Sequence, residues 1–379
     1  MAGLGRRTFA AGETLTAGNV MGYLQDQAVM VFDSSAALGS AVGTAVAEGM
    51  TSYWKDVNSV QVYDGTSWAS LIQTNGNFVA NSGMDIWQRG TTFSAVGNNT
   101  YTADRWRTSY ATMTVGRSTD VPNGFKYSAT YSRAATVAGL EQPIESVNSV
   151  ALVGQTVTVS FWHKRTGDDG SIRVQLAYPT VADTFSTLTT IATNNISATT
   201  STAWTRYSTT FTALPSGVGN GLQVAINMLT AGTNTAGIIT GVQVEQGLSL
   251  SPFQRQCRSF KDELEVCQRY YQRFNVAAVG DYLGMGWATS TTVGWVHLYP
   301  SVQMRIAPTA IETTGTVANY TLAKLATTVV ATGVTLMAST TNNLLITAVT
   351  VASGLVAGEG LSLRAAATGA YLGFSAELT

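Results

Sequence analysis

The chain has 379 residues, 45% of them apolar and 11% charged, with a formal net charge of −1. That length exceeds one ordinary hydrophobic core and predicts two or three domains. A near-zero charge speaks against an electrostatic nucleic-acid binder, which needs a basic footprint, and so sparse a charge leaves Ser, Thr, Ala and Gly to face solvent or a partner.

Residues 1–72 read as a small α+β unit. Residues 13–20 form a turn into a short helix, continued by the helical spacing of Val20, Leu24 and Gln27. Two short strands flank Lys55-Asp56-Val57-Asn58, and Asp64-Gly65 marks a tight turn. Residues 1–20 lack a continuous apolar run, so no secretory signal is expected. No run of eighteen apolar residues occurs, so no membrane insertion is expected.

Residues 73–252 carry many period-two stretches, among them Val157-Thr158-Val159-Ser160-Phe161 and Leu222-Gln223-Val224-Ala225-Ile226-Asn227-Met228. Gly, Pro and Asn clusters separate them, and so many strands in this length predict a central antiparallel β jelly-roll sandwich. Residues 253–274 read as a linker and hinge helix, with Ser259 as N-cap and Asp262 in capping-box register. Phe260, Leu264, Cys267 and Tyr271 form its packing face, and Glu265 and Arg269 pair across one turn. Residues 275–379 predict a C-terminal antiparallel β domain whose near absence of charge favours self-association.

The search for chemistry returns little. Asp168-Asp169 between glycines reads as a hairpin turn, and Asp85 and Asp104 read as structural corners, with Arg89 or Arg107 as partners for Asp104. Cys257 and Cys267 with the distant His163 and His297 do not make a zinc pattern. No P-loop, dinucleotide fingerprint, HExxH or EF-hand loop occurs, so no cofactor, no metal and no catalytic residue is expected. Neutral glycan recognition needs aromatic faces and amide or carboxylate partners and no net charge. The candidate contacts are Tyr101, Tyr110 and Tyr178 in the middle unit, beside Asn98 and Asn99, and Tyr282, Trp287, Trp295 and Tyr320 in the last unit.

Several blocks carry a resemblance. Residues 9–15, 23–32 and 63–68 look like an N-terminal module of tail-associated structural proteins in phages of actinobacteria. Trp87-Gln88-Arg89-Gly90, Ala103-Asp104-Arg105-Trp106 and residues 241–247 resemble a carbohydrate-binding-like jelly roll of phage tail fibres. Cys267-Gln268-Arg269-Tyr270-Tyr271 and Met304-Arg305-Ile306-Ala307-Pro308-Thr309 are similar to the fibre region that follows it. The resemblance implies a virion protein, a homotrimeric tail fibre or minor tail protein. In that reading residues 1–72 attach to other virion proteins and the distal domains meet a host-surface glycan. The alternatives are a capsid or tail decoration protein with a purely structural role and a glycan depolymerase.

Overall fold

The computed structural model describes residues 11–23, 29–56, 59–70, 76–168, 170–196, 201–248, 250–325, 327–338 and 340–379. Helix α1 (Ala17–Tyr23), strand β1 (Met30–Phe32), helix α2 (Ser35–Val42) and strands β2 (Thr51–Trp54), β3 (Ser59–Tyr63) and β4 (Trp68–Ser70) form the N-terminal α+β unit. Its sheet runs β1-β2-β3-β4, parallel at the first pair and antiparallel after it. Asp64 Oδ1 closes the β3–β4 turn by accepting from the Thr66 and Ser67 amides at 2.8 and 2.7 Å, with Gly65 at φ 95°. Leu38 is the buried apolar side chain among the described residues of this unit, so its core is small. Leu24 and Gln27 lie outside the described residues, as do Val57 and Asn58.

The middle of the chain folds as the jelly-roll-like sandwich that the period-two stretches predict. Its strands are β5 (Thr92–Val96), β6 (Arg107–Thr108), β7 (Met113–Ser118), β8 (Ser128–Arg133), β9 (Val137–Ile144), β10 (Val157–Arg165), β11 (Gly170–Val181), β12 (Thr184–Ile196), β13 (Thr205–Phe211), β14 (Leu222–Thr230) and β15 (Thr235–Gln246), with the short helix α3 (Ser146–Ser149) after β9. One sheet has the order β13-β10-β15-β8-β7-β5, the other β12-β11-β14-β9-β6. Alternation fills the space between them: Val157, Val159 and Phe161 from one sheet meet Leu140, Val174, Val224 and Ile226 from the other, over Trp106.

After helix α4 (Phe260–Gln268) come β16 (Tyr271–Asn275), β17 (Tyr282–Ala288), β18 (Val293–Leu298), β19 (Ala310–Thr313), β20 (Tyr320–Lys324), β21 (Thr327–Leu336), β22 (Leu345–Val351), β23 (Gly360–Ala365) and β24 (Tyr371–Ser375). Six of them close a barrel in the order β17-β18-β22-β21-β20-β23, and β16-β24-β19 form a small sheet beside it. Val296, Leu298, Leu322, Val349 and Leu363 pack the barrel interior. Gly294 is needed there, because a Cβ would come within 2.6 Å of Leu361 and 2.9 Å of Leu322. Tyr320, one of the aromatic residues considered for glycan contact, is fully buried in this core and donates its hydroxyl to Tyr371 O.

The hinge helix differs from expectation. Ser259 does cap it, accepting from the Asp262 amide at 3.1 Å. It ends at Gln268, however, and Tyr271 starts a strand instead, because pairing of 271–275 with β24 buries Tyr271 and overrides helix continuation. Phe260, expected to pack, is 62% exposed; the buried face is Glu263 and Cys267, with Leu264 half-buried. Glu263 reaches into the sandwich, accepting from the Asn81 amide and, at 3.0 Å, from Cys257. Glu265 pairs with Lys261 at 3.6 Å rather than with Arg269, which donates to Glu145 at 3.0 Å.

The sandwich and the barrel meet along a buried polar seam. Glu377, on the segment after β24, accepts from Arg105 and, at 3.3 Å, from Arg89. Arg89 also reaches Glu312 at 3.4 Å and lies 3.6 Å from the centre of the Tyr271 ring. Arg105 lies 3.5 Å from that of Tyr270, whose hydroxyl donates to Glu145 at 2.8 Å. Arg305 donates to the carbonyls of Ala376 and Glu377 at 2.8 and 3.0 Å, and Leu378 is buried against Phe185 and Tyr270. Asp104 interacts with Arg89 through charge alone, the guanidinium opposing the rise that burial imposes on its carboxyl; its hydrogen bonds go to Gln88, whose amide donates at 2.8 Å, while Arg107 is spent on Glu141.

Candidate functional site

Because Leu222, Val224, Ile226 and Met228 point into the sandwich core, Gln223, Ala225 and Asn227 fall on the opposite face of the same sheet. Register then assembles a polar surface from separate strands. Arg107 pairs with Glu141, Glu141 with Ala225 and Ala225 with Gln175. In the next row Gly139 pairs with Asn227 and Asn227 with Arg173. Arg107 donates from Nε to Glu141 and from Nη2 to Gln223, both at 2.8 Å, and Gln223 Nε2 donates to Glu141 at 3.2 Å. Burial pushes the Glu141 carboxyl up from its ordinary range, and the Arg107 guanidinium opposes that shift.

Among the buried polar atoms of this surface that lack partners among the described residues are Asn227 Oδ1 and Arg173 Nε. Asn227 is 2% exposed. Its amide lies against Gly139, where a Cβ would collide with Oδ1. Arg173 spends Nη2 on the Tyr110 hydroxyl at 2.7 Å and keeps Nε free of a described partner. One unpaired acceptor and one unpaired donor therefore sit on directly paired residues of neighbouring strands. Both face the same side, bordered by the half-buried Tyr110, Arg173 and Gln175. Such an arrangement suits a ligand that donates and accepts through adjacent groups.

The residues named from the sequence are dispersed over the fold. Tyr110 borders the polar surface, with the Arg133 guanidinium 5.2 Å from its ring centre. Tyr101 belongs to the seam and donates its hydroxyl to Leu378 O at 2.8 Å. Tyr178 lines a cleft of about 450 Å³ at the mouth of the sandwich, with Ile191, Asn194, Phe211 and Pro215. Trp287 and Trp295 come together on the outer face of the barrel beside His297, and Tyr282 lies farther along β17 on that face, against Arg364. Asn98 and Asn99 lie in an exposed loop, where Asn99 donates its amide to Thr108 O at 2.9 Å. Sequence reading missed Arg107, Glu141, Gln223, Asn227 and Arg173. The signal was present as the polar half of the alternating strands, but the register that joins them is not.

The other candidate acids serve structure. Asp85 pairs with Arg255, and Asp168 Oδ2 accepts from the Asn234 amide at 2.9 Å. Asp169 lies outside the described residues. His163 is buried against the Tyr131 hydroxyl at 2.6 Å, and burial drives its pKa down to about 3. Among the described residues no group of three or more His, Cys, Asp or Glu stands where it could hold a metal ion, and no helix is long and apolar enough to cross a membrane.

No family model and no curated protein matches the chain. Among solved structures, the chain is similar to the enzymatically active domain of tailspike protein 4 of bacteriophage CBA120, at 18% identity and a TM-score of 0.31 over 45% of this chain and 21% of that one. It is also similar to a xylan-binding domain of Paenibacillus barcinonensis Xyn10C, at 15% identity and a TM-score of 0.28 over 38% of this chain and 92% of that one. A xylanase 10B of Clostridium thermocellum aligns at 16% identity and a TM-score of 0.28, over 45% and 30% of the two chains. At that level the similarities assign no ligand or activity to this chain.

Proposed function

We propose that this chain is a non-enzymatic phage virion protein, a tail fibre or minor tail protein, whose sandwich recognises a host-surface saccharide on the face bearing Asn227 and Arg173. The observation that carries the saccharide reading is the pair of unpartnered buried atoms, Asn227 Oδ1 and Arg173 Nε, on paired residues of adjacent strands. Leaving each such atom unpaired costs about 1–3 kcal/mol. A vicinal diol offers one hydroxyl as donor to the amide oxygen and another as acceptor for the guanidinium, which offsets that cost. The virion reading draws support from the sequence blocks at 63–68, 87–90, 103–106 and 241–247. Presentation as a homotrimer on a particle, with residues 1–72 as the attachment unit, would raise effective concentration and so give an avidity about 10² to 10⁴ above the single-site affinity.

The test measures binding of the full chain to an array of host cell-wall and capsular saccharides, with Asn227→Ala and Arg173→Gln alongside. Loss of about tenfold or more in both folded variants supports the reading. Wild-type affinity retained in both, or no saccharide bound by the wild type, overturns it. Antibody labelling of intact particles separates fibre from decoration protein: signal at the tail tip supports the fibre, and a regular capsid lattice refutes it. Saccharide cleavage abolished by Glu141→Gln would make the protein a depolymerase instead.

A further inference from the structure

The outer face of the barrel carries features that the sandwich site does not use. Strand β18 turns Gly294, Val296 and Leu298 inward and leaves Val293, Trp295 and His297 outward. On β17, Met285 and Trp287 point outward, 72% and 41% exposed, and Tyr282 beyond the bulge is 66% exposed. Trp287 pairs across the strands with Trp295, ring centres 6.3 Å apart and planes tilted by 57°, and its ring lies 4.8 Å from that of His297. On that side, then, the Trp287 indole is supported. On its other side it pairs with Gly360 of β23, an exposed residue where a Cβ would meet nothing within 4 Å. A large apolar ring thus stands beside an open notch floored by backbone.

Charge leaves the notch neutral. Glu359, next to Gly360, is drawn to Lys324 at 3.6 Å and to the Val356 amide at 2.6 Å. Arg364, four residues along β23 from Gly360, lies with its guanidinium 4.8 Å from the Tyr282 ring centre. Ser362 faces Met285 on the same surface and supplies a hydroxyl at the rim. Exposed apolar side chains gathered into one patch mark a candidate contact surface, where the same residues scattered singly would not. Its aromatic faces favour flat apolar C–H surfaces edged by hydroxyls.

We propose that Trp287 and Gly360 form a second saccharide site, a stacking slot for one neutral pyranose ring, with Trp295 and His297 holding the indole upright and Ser362 at the rim. The slot lies on a different domain from Asn227 and Arg173 and does not depend on them. Its occupant is a neutral sugar because the face carries a stacking ring and an open floor, Glu359 is paired with Lys324, and the Arg364 guanidinium is taken up by the Tyr282 ring and Gly280 O, four residues away. A proline-rich peptide or a second copy of the chain are the competing occupants that the test must separate.

The probes are cello-, xylo-, malto- and chito-oligosaccharides of four to six units, titrated into the full chain and read by tryptophan fluorescence and calorimetry. Gly360→Leu is the diagnostic variant: it fills the notch without removing the indole, at a position with no left-handed backbone to strain. The expected result is that at least one series binds, and that Gly360→Leu and Trp287→Ala each weaken it about tenfold or more while Asn227→Ala leaves that component unchanged. Thermal unfolding checks that the variants fold, and Met285→Ala serves as a control for general loss of surface apolar area. Binding that remains in an Asn227→Ala background and persists there in both Gly360→Leu and Trp287→Ala overturns the proposal. So does a wild type that binds none of the four series at millimolar concentration. So does a chain whose slot is closed by self-association, seen as sedimentation that changes with Trp287→Ala.

Discussion

Substituting Glu377→Ala removes the central anion of the seam. The Arg105 and Glu377 side chains are 2% and 3% exposed, and Arg89 is 6% exposed. The variant strands the Arg105 guanidinium in a place where water cannot replace its partner; Arg105 keeps Pro143 O at 2.7 Å and the face of Tyr270. Arg89 retains Glu312 and suffers less. Breaking one member of a buried pair costs about 3–5 kcal/mol, much of it the uncompensated charge that remains. The effect should concentrate on the joint between the two β units. Urea unfolding followed by tryptophan fluorescence should split from one transition into two, and limited proteolysis should cut near residues 253–259, before α4. The double variant Arg105→Ala/Glu377→Ala should recover part of the loss, giving a coupling energy of about 1–3 kcal/mol. A loss below about 1 kcal/mol for Glu377→Ala, with no coupling in the cycle, would refute the assignment of the seam as the joint.

Three further outcomes follow from local geometry. Burial raises the Asp104 carboxyl from 3.8 to about 6, so the fold holds its proton more tightly than the unfolded chain does. Its stabilising contribution is present below pH 3.8 and is lost as pH rises through about 6, a change of about 3 kcal/mol. Urea melts at pH 4, 5.5 and 7 should therefore show Asp104→Asn gaining on the wild type as pH rises, and a constant difference would refute the shift. Ser259→Ala, which removes the cap on α4, should cost about 1 kcal/mol in the same melts. Phe260→Ser, one residue on, should change stability by less than about 0.5 kcal/mol because that ring is already in water.

Sequence reading recovered the layers of this fold because period-two alternation is local. Val157, Val159 and Phe161 announce their face without reference to any other strand, and Asp64-Gly65 announces its turn. Helix α4 was legible at its start for the same reason: Ser259 caps the residue three places on. Its end was not, since Tyr271 is claimed by a strand about 100 residues later. Proximity in sequence places Asp104 within reach of the Arg89 charge, yet the direct ion pairs of Arg89 and Arg107 are made across the fold by Glu377 and Glu141. The candidate sites divide along the same line. Trp287 and Trp295 were visible as aromatic residues in alternating strands, and the structure adds that they face each other. The polar row from Arg107 to Arg173 depends on the register of four strands, which no contiguous stretch records.

The segment after β24 also decides how the molecule bears a pull. Tension between barrel and sandwich is shared by the covalent path through α4 and by the clasp that Glu377 and Leu378 make on the sandwich. Arg305 grips two carbonyls of this segment, Arg105 its carboxylate and Tyr101 the carbonyl of Leu378. Arg105 and Tyr101 hold the segment to the sandwich while Arg305 stiffens it from the barrel side, so a pull on the barrel loads this clasp in parallel with the linker.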